Sequence, residues 1–219
     1  MRIVTWNCNG AFRKKFRDIE KLNADIYVIQ ECENPLTSKD LEYKQFAENC
    51  LWEGYGNKGL GVFAKSSIKI SDNCWESFGL EHFISCSIND EFNLLGVWAC
   101  GGYIKDFYVY LQIHKEKMQN IVICGDFNSN AIWDKMHRRR THAAVIDQLE
   151  DKAIYSCYHM QYKQQQGKES TPTFYLHKDK NKPYHIDYFF SDRKGSNLII
   201  ANYDEWIAVS DHMPLILNY

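Results

Sequence analysis

The sequence predicts a mixed α/β fold (α+β in the way its elements segregate) with helices laid over sheets, and three observations predict it. The spacing of apolar residues switches repeatedly between two, the repeat of a half-buried strand, and about 3.6, the repeat of an amphipathic helix. Short strand-like runs, about ten of them, outnumber the helical ones. No internal repeat, heptad array or Pro/Ser-rich linker divides the 219 residues, and only 4 prolines are scattered through them. One domain spanning residues 1–219 is therefore expected, and a content of 45% apolar and 15% aromatic residues suffices to fill its core.

Taken in order, the strand candidates are Arg2–Trp6, Asp25–Gln30, Gly61–Ala64, Ile68–Ser71, Phe83–Ile88, Phe92–Ala99, Ile121–Cys124, Ile186–Ser191, Leu198–Tyr203 and Pro214–Asn218. A first helix is read where Phe12, Phe16, Ile19 and Leu22 share a face, and a second over Phe107–Met118. Thr141 is placed to cap a third over Ala143–Leu149. The polar stretch Gln161–Ser170 reads as a mobile loop, and the Thr171-Pro172-Thr173 that follows it suggests that it flanks a site.

Composition narrows the class. A net charge of -2 gives no global basic field of the kind that marks many nucleic-acid binders, so a polyanion must be met locally. The local patch is Lys135-Met136-His137-Arg138-Arg139-Arg140, although a charge run of this length is as often a solvated helix end. The 8 cysteines are far apart, without a Cys-x-x-Cys pair or Cys/His ligand spacing, which argues against structural zinc. Most are expected to be small buried apolar groups in a reducing compartment. The chain enters a strand-like run directly from Met1, and no apolar stretch approaches the ~20 residues of a membrane span. A cytoplasmic protein without membrane contact is expected, and nothing in the sequence calls for an obligate protein partner.

Carboxylates and carboxamides recur where strand-like runs end: Asn7 and Asn9 after the first, Glu31 after the second, Asp126 and Asn128 after Ile121–Cys124. Strand ends are where a rigid sheet delivers side chains into a shared cleft. Together with Asp211 these are the oxygen donors a hard cation such as Mg²⁺ or Mn²⁺ takes, while His212 changes charge near neutral pH and Asp187 is suited to orienting an imidazole. Each motif alone is bland. Gly125-Asp126-Phe127-Asn128 and Ser210-Asp211-His212 are both ordinary turn sequences in which side chains cap backbone N–H groups.

Their joint order is specific. Trp6-Asn7-Cys8-Asn9-Gly10, Ile29-Gln30-Glu31, Gly125-Asp126-Phe127-Asn128, Ile186-Asp187-Tyr188 and Ser210-Asp211-His212-Met213-Pro214 follow one another as in the endonuclease/exonuclease/phosphatase superfamily, which the chain resembles over nearly its whole length. The resemblance implies a two-layered β-sandwich flanked by helices, four layers in all, with the site at one end of the sheets. It implies Glu31 as the main metal-ligating carboxylate, Asn7 and Asn9 in or near the metal shell, and Asp211 on the same side. Asp126 then matches the residue that orients or deprotonates the attacking water and Asn128 the amide that holds phosphate or nucleophile. His212 matches the histidine at the scissile phosphate, and Asp187 its partner.

Two departures stand out. Asn9 occupies a position where many relatives of that superfamily carry Asp, which lowers the negative charge near the metal. The Tyr or His that its nucleases carry at the end of the strand before Gly-Asp-Phe-Asn is missing, and Tyr103 is the candidate to reach the phosphate from a displaced position; the alternative is a core tyrosine. Room for one helix before Ile121 implies a minimal member.

For the ester itself the evidence is local. Trp133 and the run containing Arg138, Arg139 and Arg140 follow the Gly-Asp-Phe-Asn motif, and His185, with Thr171, Thr173, His177 and Lys178, offers phosphate contacts on the other side. The expectation is a nuclease acting on DNA, less readily on RNA. The alternatives are a phosphatase or phosphodiesterase for a small nucleotide, phosphoinositide or lipid headgroup, and a binding protein that has lost the chemistry.

Overall fold

In the computed structural model, which describes residues 1–137 and 139–219, the alternating apolar runs pair into two six-stranded sheets and one two-stranded ribbon. The strands are β1 (Arg2–Asn7), β2 (Ile26–Cys32), β3 (Cys50–Tyr55), β4 (Lys58–Ala64), β5 (Ile70–Asp72), β6 (Phe83–Ile88), β7 (Phe92–Trp98), β8 (Ile121–Asp126), β9 (Tyr155–Ser156), β10 (Phe174–Tyr175), β11 (Pro183–Tyr184), β12 (Asp187–Ser191), β13 (Asn197–Ile200) and β14 (Leu215–Asn218). The helices are α1 (Phe16–Glu20), α2 (Leu41–Phe46), α3 (Ile104–Ile113), α4 (Asp134–His137), α5 (His142–Glu150), α6 (Cys157–Tyr162) and α7 (Tyr203–Trp206). Arg138, one of the basic residues expected at the substrate, lies outside the described residues.

The first sheet runs β13-β14-β1-β2-β4-β3 and the second β5-β6-β7-β8-β12-β9. Each has one parallel pair at its heart, β1 with β2 and β7 with β8, and a parallel pair needs a long crossover, which α1 and α3 provide. Inner faces meet through Val28, Leu60 and Leu217 on one side and Cys86, Leu94, Val122 and Phe189 on the other. Gly96 lets the sheets close: a Cβ there would stand 3.0 Å from Val28 Cγ1 in the facing sheet. Outside, Phe107, Leu111, Val145 and Leu149 bring α3 and α5 onto the second sheet, while Phe16, Ile19 and Tyr43 bring α1 and α2 onto the first. Each such side chain contributes about 1.5–3 kcal/mol when fully buried. The result is the layered order helix, sheet, sheet, helix.

Several expectations shift in detail. β6 falls where the alternation placed it, and Thr141 Oγ1 accepts the Ala144 N–H at 3.1 Å as the cap of α5. The strand read over Leu198–Tyr203 stops at Ile200, because Asn202 caps α7 and turns the chain. The helix read over Phe107–Met118 begins at Ile104 and yields to a 3₁₀ turn after Ile113. β3 was missed: it forms an outer edge whose residues are only partly buried, so Cys50–Tyr55 shows no apolar alternation.

The stretch expected to be a mobile loop is held in place. Gln161 belongs to α6, and Gln164 binds the Tyr158 hydroxyl at 2.9 Å and Ser170 Oγ at 2.7 Å. The side chain of Glu169 is buried, 4% exposed, against His159 Nε2 at 3.0 Å. Of the cysteines, Cys8, Cys32, Cys86, Cys124 and Cys157 are buried, Cys50 and Cys100 half-buried and Cys74 exposed, and all are free thiols. Among the described residues no helix is long and apolar enough to cross a membrane.

Register decides where the polar residues gather. Asn7 lies beside Gln30, Trp98 beside Asp126 and Asp126 beside Asp187, so β1, β2, β7 and β8 end at the edge of the sandwich where β12 begins.

Candidate active site

Two backbone devices aim the carboxylates. Glu31 sits where the β2–β4 register shifts between Gln30 and Cys32, with φ of 62° in the left-handed region. Such a bulge re-aims a side chain without ending the strand, and the left-handed turn of a non-glycine residue costs about 1–3 kcal/mol that the rest of the fold must offset. Gly125, with φ of 148°, lets β8 press against β7: a Cβ would lie 1.8 Å from the Val97 carbonyl oxygen. That glycine, read as part of a turn motif, fixes the depth from which Asp126 projects.

Asp126 is buried at the centre. Its Oδ2 accepts from Asn7 Nδ2 at 2.9 Å and Asn128 Nδ2 at 3.0 Å, and its Oδ1 from the Asn128 backbone N–H at 2.8 Å. Asn7 Nδ2 also donates to Glu31 Oε1 at 3.3 Å, while its Oδ1 accepts the Asn9 N–H at 2.9 Å. Asn7 therefore bridges the two sheets and holds two carboxylates apart by turning its NH₂ toward both. Glu31 Oε2 is ion-paired with Lys58 Nζ, which reaches over from the β3–β4 turn.

The third carboxylate completes the cluster. His212 Nδ1 donates to Asp187 at 3.1 Å (Oδ1) and 3.0 Å (Oδ2), and one potential ligand atom each from Asp126, Asp187 and His212 lies within 4.8 Å of the others. Thr173 Oγ1 accepts the N–H groups of Ile186 and Asp187, both at 3.0 Å, and so seats the start of β12. Ser210 Oγ donates to the Asn7 carbonyl at 2.8 Å and accepts the His212 N–H at 3.1 Å, which ties the last motif to the first. The Phe174 ring packs on His212 with centroids 4.5 Å apart.

Charge in this pocket is set by burial first. Desolvation, reinforced by Asp187, raises the Asp126 carboxyl to about 7 against the opposing pull of His212. Burial alone would discharge His212, yet Asp187 and Asp126 overcome it and raise the imidazole to about 9. At neutral pH an imidazolium thus stands among carboxylates, next to a carboxyl poised near its own midpoint.

The remaining expected residues scatter. Asn9 is exposed with φ of 53°, and Asp211 is half-buried, its carbonyl accepting the Tyr175 N–H at 2.8 Å. Tyr103 is 52% exposed on the turn that leaves β7 beside Asp126, so it is no core tyrosine. Trp133 is half-buried with its ring 5.3 Å from Tyr184, and Arg139 and Arg140 are exposed beyond it. His185 lies behind the site instead of on its surface: it is buried, and its Nδ1 meets the Thr171 carbonyl oxygen at 2.7 Å. Thr173 is likewise fully buried and spent on backbone, so it makes no phosphate contact. Lys178 Nζ is turned to the Ala208 carbonyl at 3.0 Å. Lys58 and Phe174 were not singled out; no local pattern marks them, because each meets Glu31 or His212 only through the tertiary fold.

The Glu31 carboxylate offers the hard oxygen a divalent cation takes, and the nearby Cys8 thiol is buried and held protonated by desolvation. The ammonium of Lys58 already stands as a positive charge on Glu31.

Two facing sheets with helices outside, and carboxylates, amides and one imidazole pooled at a single sheet edge, define a layered sandwich with a polar site at its strand ends. The model of the endonuclease/exonuclease/phosphatase family matches residues 4–212, and the chain belongs to that family. No curated protein sequence matches it. Among solved structures it is similar to an AP endonuclease from Archaeoglobus fulgidus, with a TM-score of 0.73, 15% identity and coverage of 100% of this chain and 99% of that one. A 3′ phosphatase from Neisseria, solved with product DNA hairpin, aligns with a TM-score of 0.72 at 14% identity, covering 100% and 99%. A 3′-5′ exonuclease from Neisseria meningitidis aligns at 0.70 and 16%, again covering 100% and 99%. At these identities the likeness is one of fold.

Proposed function

We propose that this chain is a divalent-metal-dependent phosphodiester hydrolase acting on nucleic acid, in the first place a DNA nuclease. One observation carries the reading: the buried cluster of Asp126, Asp187 and His212, joined through Asn7 to the carboxylate of Glu31. Hydrolysis of a phosphodiester needs a positioned water, a group to take its proton, and positive charge where the phosphate oxygens gain negative charge.

The chain's own groups divide that work. Asp126, with its raised carboxyl, takes the proton of the attacking water at a carboxylate oxygen, and Asn128 holds that carboxylate and the water in line. His212 keeps its proton on the imidazole, oriented by Asp187, and presents positive charge to the phosphate. Glu31, with Asn9 and Asp211, would hold Mg²⁺ or Mn²⁺, oriented by Asn7. When bound, that ion supplies charge neutralisation at the phosphate oxygens.

Nucleic acid is favoured as the substrate by a row of rings. Trp133 lies 5.3 Å from Tyr184, Tyr184 lies 6.3 Å from Phe174, and Phe174 lies 4.5 Å from His212, all as centroid distances. The row runs from the foot of the basic segment to the catalytic cluster, and stacking on such rings contributes about 1–3 kcal/mol per base. Eight free thiols agree with a reducing, cytoplasmic location. The second reading, hydrolysis of a small phosphomonoester or phosphodiester, is supported by the nearly neutral net charge of -2, which a small substrate tolerates.

The test is a panel of labelled single- and double-stranded DNA, abasic DNA, RNA and a generic phosphomonoester, each with Mg²⁺ or Mn²⁺, repeated with His212→Ala. Cleavage of nucleic acid that vanishes in the variant is expected, with binding that weakens steeply as salt rises. Turnover confined to the small ester and indifferent to salt overturns the nuclease in favour of the second reading. Absence of metal-dependent turnover on every substrate overturns both.

A further inference from the structure

Asn130 lies outside every motif considered so far and Glu169 belongs to the polar stretch after α6, yet they meet near the site. Asn130 is 2% exposed. Its Nδ2 lies 2.9 Å from the His185 carbonyl oxygen, 3.0 Å from the Tyr188 hydroxyl and 3.1 Å from Glu169 Oε2, and its Oδ1 accepts the Ile132 N–H at 3.1 Å. One side chain thereby ties the segment after β8 to the start of β12. Asn130 is two residues beyond Asn128 and four beyond Asp126, and the carbonyl it holds is two residues before Asp187.

Glu169 anchors that amide from the opposite side. Its Oε1 meets His159 Nε2 at 3.0 Å and the Gly167 N–H at 2.9 Å, leaving Oε2 for Asn130. Burial works against the ionised carboxyl, but these hydrogen bonds outweigh it and hold the group at about 2. A buried carboxylate satisfied on all sides is a rigid post, and removing one partner leaves the others unpaired in a dry interior. The same segment lies against the turn that follows Asn130: a Cβ added at Gly167 would stand in ordinary contact, 3.4 Å from Ala131 Cβ and 3.5 Å from Ile132 Cγ2.

We infer that Asn130, anchored by Glu169, is a positioning residue for the reaction: it sets the segment that leaves β8 at Asp126 and carries Asn128 against the strand carrying Asp187. This rests on the hydrolase reading given above. A misplacement of about 1 Å between catalytic groups costs on the order of 100-fold in rate, which is far more than the stability change from one lost hydrogen bond would produce in a folded enzyme.

The experiment compares wild type with Asn130→Ala, the milder Glu169→Gln and the control Gln164→Ala, which loosens the same segment at Tyr158 and Ser170 without touching Asn130. Each is measured for melting temperature, for kcat and KM, and for the downfield imidazole N–H proton of His212 by NMR. The expected result for Asn130→Ala is a fall in kcat of roughly 10- to 100-fold with KM within about threefold, and a shifted or broadened His212 proton. Glu169→Gln should move the same way by less, and Gln164→Ala should keep both kcat and the proton signal. A His212 signal and kcat unchanged in folded Asn130→Ala or Glu169→Gln overturns the inference. So does an equal loss in Gln164→Ala at equal melting temperature. Should wild type hydrolyse no phosphoester, the hydrolase reading fails, and the NMR comparison alone still decides whether the brace sets the His212–Asp187 contact.

Discussion

His212 donates its Nδ1 proton to both oxygens of Asp187, at 3.1 and 3.0 Å, inside a pocket where neither side chain is more than 7% exposed. A dry ion pair of this kind costs more to break than to omit, because the surviving charge is stranded. Asp187→Ala is therefore expected to lose about 3 kcal/mol of stability as well as activity, checked by denaturant unfolding at pH 7. A variant that unfolds like wild type would show the imidazole to be neutral there.

Removing a group that stabilises developing charge costs about 100- to 1000-fold in rate. Glu31→Ala, Asp126→Asn and His212→Ala should each lose at least that much kcat on a true substrate. Near wild-type turnover in two of the three would remove the basis for the assignment.

The two raised groups set a pH profile. Asp126 acts once it has lost its proton and His212 while it keeps one, so kcat/KM should rise through about pH 7 and fall through about pH 9. Asp187→Asn, which takes away the charge that raises His212, should pull the upper limb to lower pH. A profile flat across both limbs in wild type would contradict these roles.

Glu31 is held by Lys58 and Asn7, and its carboxylate is the proposed cation ligand. Mn²⁺ titrated into wild type by calorimetry should bind and raise the melting temperature, and Glu31→Gln should abolish both effects while leaving the metal-free melting temperature within a few degrees. Equal Mn²⁺ affinity in the two proteins would move the metal site elsewhere.

Gly125 tolerates no side chain, since a Cβ would press to 1.8 Å from the Val97 oxygen on a backbone with φ of 148°. Gly125→Ala should cost at least ~3 kcal/mol, which is roughly a 10 °C fall in melting temperature for a domain of this size. Acid should weaken the fold through its buried polar groups. Burial lowers His142 from 6.5 to about 4, and its hydrogen bonds hold Glu169 at about 2 against 4.5 unfolded, so between those values the unfolded chain binds more protons. Stability from His142 is then present above pH 6.5 and lost toward pH 4, and that from Glu169 is present above pH 4.5 and lost toward pH 2. Melting temperatures across pH 3–7 check this, with Glu169→Gln expected to flatten the lower part.

Much of the site was legible because its residues sit at the ends of continuous apolar runs, the pattern of strands buried on both faces. β1, β2 and β8 are buried runs of six or seven residues, so Asn7, Glu31 and Asp126 could be recognised as strand-end polar groups before any pairing was known. The family resemblance ordered them. Edge and ribbon strands were a different matter: β3 is half-buried along its length and β10 and β11 are two residues each, too short for any period to show.

The sequence by itself determined the mixed architecture, the family and the chemical types at the site, because hydrophobic period and motif order are properties of neighbours along the chain. Only the tertiary structure decided which side chains face the cleft. His185 and Thr173 look like surface contacts in sequence and are buried, whereas Lys58 and Phe174, unremarkable in sequence, touch Glu31 and His212. The physical reason is that exposure and hydrogen-bond partners are fixed by strand register and sheet-to-sheet packing between residues far apart: Ser210 and Asn7 stand 203 residues apart and share a 2.8 Å bond.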